Sequence, residues 1–243
     1  MVCISHDYKF VYIKTHKTAS TSAELALEPF CAPPEHKVTR KRPEMLVSKH
    51  GIIGARSAPR SVRDANAGSY YWHHMAAGKI RPILGQDTFD SYVKVACVRN
   101  PYKRLLSQFA FQHKIKKLDM PSDIDGAREL FMESLPPSGV AHKKNVTGPN
   151  LKSDVNLVSI DGKCILDDFL RAENLGEDLA RFLGSRGVPE SEMNLTFERK
   201  NDAAYSGWKV AEFFNNNEII DRAIEMEQWV FDLAGYSKDP ADA

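Results

Sequence analysis

One pattern, a strand followed by a polar loop and a helix, occurs three times along this 243-residue chain and most constrains its fold. Each copy begins with a short β-branched or aromatic run, and apolar residues at helical spacing follow it. The three runs are Phe10–Ile13, Tyr92–Val98 and Cys164–Leu170. Because a strand–helix–strand crossover makes its strands parallel, the pattern predicts an α/β fold with a central, mainly parallel sheet flanked by helices. Ligands of such folds bind beyond the carboxyl ends of the strands.

The remaining segments are less regular. Residues 31–72 are rich in Pro, Ser, Lys and Arg, and residues 119–156 contain several Pro and Gly residues typical of loops. Apolar spacing predicts a last helix over about residues 218–233. Since neither an internal repeat nor a clear linker divides the chain, we predict one domain over residues 1–243, with 31–72 and 119–156 as substrate-side loops or insertions.

Composition argues against several classes of protein. The 33 Lys and Arg residues nearly balance the 32 Asp and Glu residues, so the net charge of +1 does not indicate a nucleic-acid partner. No apolar run is long enough for an integral membrane segment, and the N-terminus lacks the pattern of a secretory signal, so we expect a cytoplasmic protein. The 4 cysteines lack metal-ligand spacing and are expected to be reduced, mostly buried thiols, with no metal site.

The first loop carries a cluster of small and hydroxyl-bearing residues, Lys17–Ser22, with the sequence KTASTS. Small residues let backbone amides approach an anion, and the following helix N-terminus supplies N–H donors and the positive end of its dipole. The segment therefore favours phosphate binding, with Lys17 as a mobile charge. A capping box formed by Thr21 and Glu24 would explain the same residues as purely structural. The glycines of a Walker A loop are missing.

The second junction follows the strand at 92–98. Asn100 and Pro101 predict the start of a helix there. An arginine fork and a hydroxyl, Arg99 and Ser107, are placed to reach one phosphate near this junction. The structural alternative is that Arg99 forms a salt bridge and that Ser107 is an exposed helical serine.

Four segments in order resemble those of sulfotransferases that use PAPS (3′-phosphoadenosine 5′-phosphosulfate). Residues 10–22 are similar to the family's 5′-phosphosulfate-binding loop, and the KTASTS form is especially close to that of heparan sulfate and uronyl 2-O-sulfotransferases. Residues 98–109 resemble the 3′-phosphate-binding element, and residues 168–175 and 232–236 resemble two later segments. The resemblance implies a P-loop-NTPase-like sulfotransferase fold, PAPS as donor, PAP (3′-phosphoadenosine 5′-phosphate) as product, and a hydroxyl acceptor on a carbohydrate or glycoconjugate.

The resemblance also implies roles for individual residues. Lys17 would contact the bridging oxygen and the 5′-phosphate, and so offset the charge on the leaving group. Arg99 and Ser107 would bind the 3′-phosphate, joined by Arg199 and Lys200 from a late loop. The 5′-phosphate would be held by the amides and hydroxyls of one run, namely Thr18, Ala19, Ser20, Thr21 and Ser22.

Transfer to a hydroxyl also needs a base, and histidine suits this task at neutral pH. Residues 74–81 resemble the family's His-x-x-Ala-x-x-Ile-Arg stretch, in which the histidine lies near the acceptor. We therefore expect His74 to be the general base, with His73 as the alternative base and a substrate contact. The competing interpretation is a pair of histidines that cap or pack a helix. His16 stands where the family usually has Pro, which places a second titratable group beside Lys17.

The acceptor is predicted from charge and from the family. Arg56 and Arg60, in the basic stretch 37–63, and the cluster His113–Lys117 can pair with carboxylates or sulfates of an anionic saccharide. Such charge runs are also common on solvated faces. The aromatic residues Tyr70–Trp72 can stack on sugar rings or belong to the core.

Two other functions remain open at this point. A nucleotide-dependent phosphotransferase would share the sheet topology, but the chain lacks the Gly-Lys-Ser/Thr loop and a clear Mg²⁺-binding Asp after a strand. A catalytically silent anion- or polysaccharide-binding protein would keep the same scaffold. Transfer of sulfate from PAPS separates this last function from an enzyme.

Overall fold

The computed structural model describes residues 1–56, 59, 61, 64, 68–138, 149–193, 195 and 208–243. The chain divides into two compact units, each considered by itself: residues 1–98 with 155–198, and residues 99–154 with 199–243. None of the described helices combines the length and the apolar character that a membrane span requires.

Strands and helices alternate through the first unit, and the described part of the second unit is helical. The described strands are β1 Cys3–Ser5, β2 Phe10–Ile13, β3 Leu46–Ser48, β4 Gly51–Ile53, β5 Val93–Val98, β6 Ser159–Ile160, β7 Lys163–Cys164 and β8 Asp168–Arg171. The described α-helices are α1 Ser20–Leu27, α2 Ala77–Leu84, α3 Gln86–Ser91, α4 Pro101–Lys116, α5 Ile124–Ser134, α6 Leu175–Ser185, α7 Val210–Phe213 and α8 Asn217–Ala234.

A six-stranded sheet with the order β3-β4-β1-β2-β5-β8 forms the frame of the first unit. The α/β class with a central sheet is confirmed, but the prediction of a mainly parallel sheet is wrong. The β2–β5 and β5–β8 pairs are parallel, whereas the β1–β2, β1–β4 and β3–β4 pairs are antiparallel. Strands β1, β3 and β4, which form the antiparallel pairs with one another, have three residues each. This length is too short for an apolar period to be recognised in the sequence.

The core of the first unit packs α1 and α6 against this sheet. Phe10, Tyr12, Leu27 and Phe182 are fully buried, and the rings of Phe10 and Phe182 meet edge-on with centroids 5.5 Å apart. Cys3, Cys31 and Cys97 are buried free thiols and Cys164 is exposed, as the sequence predicted.

The parallel pairing of β2 with β5 sets the position of the loops that follow them. Ile13, the last residue of β2, lies opposite Ala96 of β5. Because the two strands run in the same direction, the loop after β2 and the chain after Val98 leave the sheet at the same edge.

In the second unit, α4 begins where the sequence predicted. The side chain of Asn100 accepts the N–H of Lys103 at 3.2 Å, and Pro101 occupies the first turn. The predicted last helix is confirmed as α8. The segment 119–156 is less irregular than expected, because it contains α5, while its residues 139–148 lie outside the described part of the chain.

A buried ion pair joins α4 to α8 within the second unit. Arg104 is 1% exposed and Glu227 is 0% exposed. Arg104 Nε donates to Glu227 Oε2 at 3.1 Å, and its Nη2 donates to Glu227 Oε1 and to the carbonyl oxygen of Lys152. The carboxylate of Asp154 lies 3.8 Å from Arg104 Nη1. Burial raises the pKa of Glu227 to about 7, and the charge of Arg104 opposes this shift.

Replacing this arginine tests the ion pair. Arg104→Met leaves two buried carboxylates without their cation, so we expect the free energy of unfolding to fall by about 3–5 kcal/mol. Urea denaturation measures the change. Lys114→Met, at an exposed position of the same helix, should change it by less than about 0.5 kcal/mol. Equal effects of the two variants would contradict this role of Arg104.

Candidate active site

The loop between β2 and α1 has an uncommon backbone conformation. Lys17 and Ala19 adopt left-handed φ angles of 62° and 56°. This region costs a non-glycine residue about 1–2 kcal/mol. The carbonyl oxygen of Ala19 accepts the N–H groups of Ser22 at 2.9 Å and Ala23 at 3.3 Å. Lys17 lies three residues before the first residue of α1, Ser20, at a helix N-terminus where N–H donors and the helix dipole favour an anion.

Hydroxyl groups inside the loop stabilise this conformation. Thr15 Oγ1 donates to the carbonyl oxygen of Cys97 at 2.6 Å, so the Thr18 hydroxyl, 2.7 Å from Thr15 Oγ1, must donate to it. Ser20 Oγ donates to the carbonyl oxygen of Thr15 at 2.6 Å. The hydroxyl protons of Thr18 and Ser20 are thus used within the protein, which leaves the backbone amides of these residues as their contribution to anion binding. Thr21 accepts a hydrogen bond through Oγ1, so its proton remains for an external acceptor.

Glu24 of α1 has a buried carboxylate that binds several cationic groups beneath the loop. It is 0% exposed and accepts hydrogen bonds from Lys14 Nζ at 2.6 Å and from Arg56 Nε at 2.8 Å. The amino group of Met1 also contacts it, and Lys14 Nζ donates to Thr21 Oγ1 at 3.0 Å. Burial acts to raise the pKa of Glu24, but the surrounding cationic groups outweigh it and hold the pKa below its usual value.

The capping box considered from sequence is wrong. The residue that precedes α1 is Ala19, which has no side-chain cap, and the Glu24 carboxylate binds cations instead. Sequence reasoning therefore missed Lys14 and Glu24 as a pair. The available signal was the position of Glu24 between Ala23 and Leu27 on the buried face of α1, where a carboxylate needs a partner.

His74 lies beside the same loop. Its Nδ1 is 3.0 Å from the carbonyl oxygen of Lys14, and its ring stacks on His16 with centroids 3.7 Å apart and planes at 9°. The ring of His73 meets His74 edge-on at 5.4 Å. Because His16 precedes Lys17 in the chain, the structure brings both residues predicted as catalytic, Lys17 and His74, to one loop.

The hydrogen bond to Lys14 fixes the tautomer of the neutral His74 ring. A carbonyl oxygen only accepts, so Nδ1 carries a proton, and in the neutral ring Nε2 keeps its lone pair. Burial lowers the pKa of His74 to about 2, and the neighbouring His16 and Lys14 strengthen the shift. The imidazole is therefore neutral throughout the physiological range, as a proton acceptor must be, but its basicity is much lower than that of an ordinary histidine.

Two arginines of the basic stretch, Arg42 and Arg56, bind carboxylates within the protein. Arg56, besides its contact with Glu24, donates to the carbonyl oxygen of Thr39 at 3.0 Å. Arg42 Nη2 donates to Glu28 Oε1 at 2.7 Å. These contacts give Arg56 a structural role, and the geometry does not support its predicted contact with substrate. Arg60 lies outside the described residues.

The aromatic residues before His73 belong to the core more than to the surface. Tyr71 and Trp72 are buried, and Trp72 also forms a parallel bridge with Ala55. The hydroxyl of Tyr70 donates to the carbonyl oxygen of Pro43 at 3.2 Å. Packing accounts for Tyr71 and Trp72 without a sugar ring.

The residues predicted for a 3′-phosphate belong to the second unit. Arg99 directly follows β5, and Ser107 lies in the second turn of α4. They are 8% and 7% exposed, respectively. Their binding role stays a prediction. Arg199 and Lys200 lie outside the described residues.

Within the described ranges, no group of three His, Cys, Asp or Glu side chains lies close enough together to hold a metal ion. The chemistry of the site is that of a cationic loop beside a neutral imidazole.

Comparison with known proteins gives one match. A model of the group described as "Sulfotransferase family" matches residues 1–129. The matched segment includes the β2–α1 loop, His74, Arg99 and Ser107. No curated protein and no solved structure matches the chain at the significance that we required.

Glu24→Gln tests the charge network beneath the loop. At neutral pH we expect a loss of about 3–5 kcal/mol in the free energy of unfolding, because buried cations lose their carboxylate. Since the pKa of Glu24 in the folded protein lies below the usual 4.5, its contribution is complete above that value and is lost as the pH falls through the folded pKa.

The difference between the wild type and Glu24→Gln should therefore shrink on acidification, as chemical denaturation at several pH values will measure. Glu35→Gln is the matched control at an exposed position and should change stability by less than about 0.5 kcal/mol. A difference that stays constant as the wild-type carboxylate is protonated would contradict the network.

Proposed function

The chain belongs to the sulfotransferase family, whose model matches more than half of its length, and on this basis we propose that it transfers a sulfuryl group from PAPS to a hydroxyl of a carbohydrate or glycoconjugate. The observation that carries the proposal is the placement of His74, which bonds to Lys14 and stacks on His16 beside Lys17. Sulfuryl transfer needs a cation for the leaving group and a base for the attacking hydroxyl. Lys17 in the loop and His74 beside it are proposed to supply these two groups.

The 5′ end of the donor is assigned to the β2–α1 loop. Lys17 contacts the oxygen that bridges sulfur and the 5′-phosphate, while the backbone amides of residues 18–22 hold the phosphate. The hydroxyl of Thr21 is a further donor, because its oxygen already accepts from Lys14 and its proton is not used there. Lys14, Arg56 and Arg42 are three cations against the two carboxylates of Glu24 and Glu28, and this excess of positive charge favours an anion above the loop.

The 3′-phosphate of the donor is assigned to Arg99 and Ser107, with Arg199 and Lys200 as further contacts. The support is the resemblance of residues 98–109 to the family's 3′-phosphate-binding element. An arginine fork matches the geometry of a phosphate.

The transfer step follows from these assignments. The oxygen of the acceptor hydroxyl attacks sulfur, and the bond between sulfur and the 5′-phosphate oxygen breaks on the opposite side. His74 Nε2 takes the proton of the hydroxyl. PAP leaves with the electron pair of the broken bond on its phosphate, and Lys17 offsets the added charge. His73, next to His74, is assigned to the acceptor.

A carbohydrate acceptor is supported by the likeness of the KTASTS loop to those of heparan sulfate and uronyl 2-O-sulfotransferases. Transfer of labelled sulfate from PAPS to a panel of glycans, with heparan sulfate included, tests it. Thermal-shift titration should show stabilisation by PAP in preference to ATP with Mg²⁺. Preference for ATP with Mg²⁺ would favour a phosphotransferase, and PAP binding without transfer to any glycan would indicate a silent binding protein.

Substitution of the two catalytic residues separates their roles. Lys17→Ala should abolish turnover, whereas His74→Ala should abolish turnover and leave the affinity for PAP unchanged in calorimetry. His50→Ala, which removes a histidine bound to Asp7, serves as the control and should keep activity. Because the pKa of His74 is about 2, the wild-type rate should show no loss from protonation of this base between pH 8 and pH 5. Retained turnover in His74→Ala would exclude this histidine as the base.

Arg99→Ala tests the 3′-phosphate assignment. Loss of a charge-assisted contact should weaken PAP binding by about 1.5–3 kcal/mol, measured by calorimetry. Adenosine 5′-phosphate lacks the 3′-phosphate and is the matched ligand, so its affinity should be the same for the wild type and the variant. An equal loss for both ligands would place Arg99 elsewhere.

A further inference from the structure

The carboxyl-terminal end of α4 carries exposed apolar residues. Phe111, Ile115 and Leu118 are 44%, 54% and 38% exposed. Phe111 and Ile115, four residues apart, lie on one side of the helix, and Leu118 follows directly after its end. Of the five large hydrophobic residues exposed in the described part of the chain, these three fall within one eight-residue stretch. Such a concentration differs from the scattered exposed apolar residues of an ordinary surface.

The end of the helix has a defined conformation. Lys117 adopts a left-handed φ of 53°, and its N–H donates to the carbonyl oxygen of Lys114 at 3.3 Å. The N–H of Leu118 donates to the carbonyl oxygen of His113 at 3.0 Å. His113 itself is buried, and its Nδ1 lies 3.1 Å from the carbonyl oxygen of Asp119. These hydrogen bonds fix the backbone of Leu118 directly after the end of the helix.

Lysines lie beside these apolar residues. Lys114, Lys116 and Lys117 are exposed at this end of α4, and the first acidic residue that follows them is Asp119. The cluster His113–Lys117 was predicted from sequence to contact a saccharide. Its surface is formed by lysines together with an apolar side chain, because Ile115 is exposed and His113 is buried.

We infer that the patch formed by Phe111, Lys114, Ile115, Lys117 and Leu118 docks on the surface of a membrane that contains anionic lipids. Helices that lie in a membrane interface combine apolar side chains, which enter the headgroup region, with lysines that pair with lipid phosphates. A sulfated polysaccharide would satisfy the lysines but would leave Ile115 and Leu118 in water. The charge and the apolar character together favour the lipid surface, and this inference does not depend on the reaction proposed above.

Co-sedimentation of the full chain with lipid vesicles tests the inference. The protein should pellet with phosphatidylcholine vesicles that contain phosphatidylserine, and much less with phosphatidylcholine alone. Added salt should weaken the binding by screening. Lys117→Gln should weaken it about fivefold, which is the effect of one lysine near an anionic surface. Absence of binding to the anionic vesicles would overturn the inference.

Ile115→Glu is the main variant, and Val47→Glu is its matched control. Val47 is 58% exposed and lies on β3, away from α4 in sequence and in the other unit. Ile115→Glu should lose vesicle binding by about tenfold or more while its thermal unfolding stays that of the wild type, since the side chain is exposed. Val47→Glu should bind as the wild type does.

Three results would contradict the membrane surface. The first is vesicle binding unchanged by Ile115→Glu, and the second is an equal loss in Val47→Glu. The third is retention on immobilised heparin that depends on Lys117 in a protein that does not bind vesicles, because that outcome identifies a polysaccharide face instead.

Discussion

The fully buried carboxylate of Glu24 is the constraint on which the candidate site depends. Lys14 connects this carboxylate to the rest of the loop, because its ammonium binds Glu24 and Thr21 while its carbonyl oxygen receives His74. A single lysine thus links the first turn of α1, the strand β2 and the imidazole assigned as base. Without the carboxylate, a buried ammonium would lack its counter-charge and the loop would lose the anchor that sets its geometry.

The second unit also contains a buried carboxylate, Glu227, that binds a buried cation. In the segment that resembles a 3′-phosphate element, Arg104 is an internal anchor bound to Glu227, whereas Arg99 and Ser107 are the residues assigned to the ligand. Arg104 is therefore a structural arginine, whereas a ligand-binding role is proposed for Arg99 in the same motif. A charge pattern in the sequence does not separate them, because the partner of Arg104 lies more than a hundred residues away on α8.

The elements that were predicted correctly from sequence are those specified by residues close to one another in the chain. Asn100 and Pro101 identified the start of α4, and apolar spacing identified α8, because these signals act over neighbouring residues. The antiparallel half of the sheet could not be predicted, since its three-residue strands are defined by distant pairing such as Cys3 with Ile53. In the site, the KTASTS loop was recognisable from sequence. The Thr18 and Ser20 hydroxyls point inward because they bind Thr15, and Thr15 is held in turn by Cys97, which only the folded chain brings near.

Three non-glycine residues with left-handed backbone, Lys17, Ala19 and His74, meet around this one loop. Branching at the β-carbon makes that conformation especially unfavourable, so valine, isoleucine and threonine are poorly tolerated at all three positions. Steric constraints alone therefore limit the residues that the loop can accept, independently of any catalytic requirement. We therefore expect substitutions in this protein to accumulate outside the loop, at residues whose backbone conformation is unstrained. A nearly invariant sequence in the loop would reflect backbone geometry as much as catalysis.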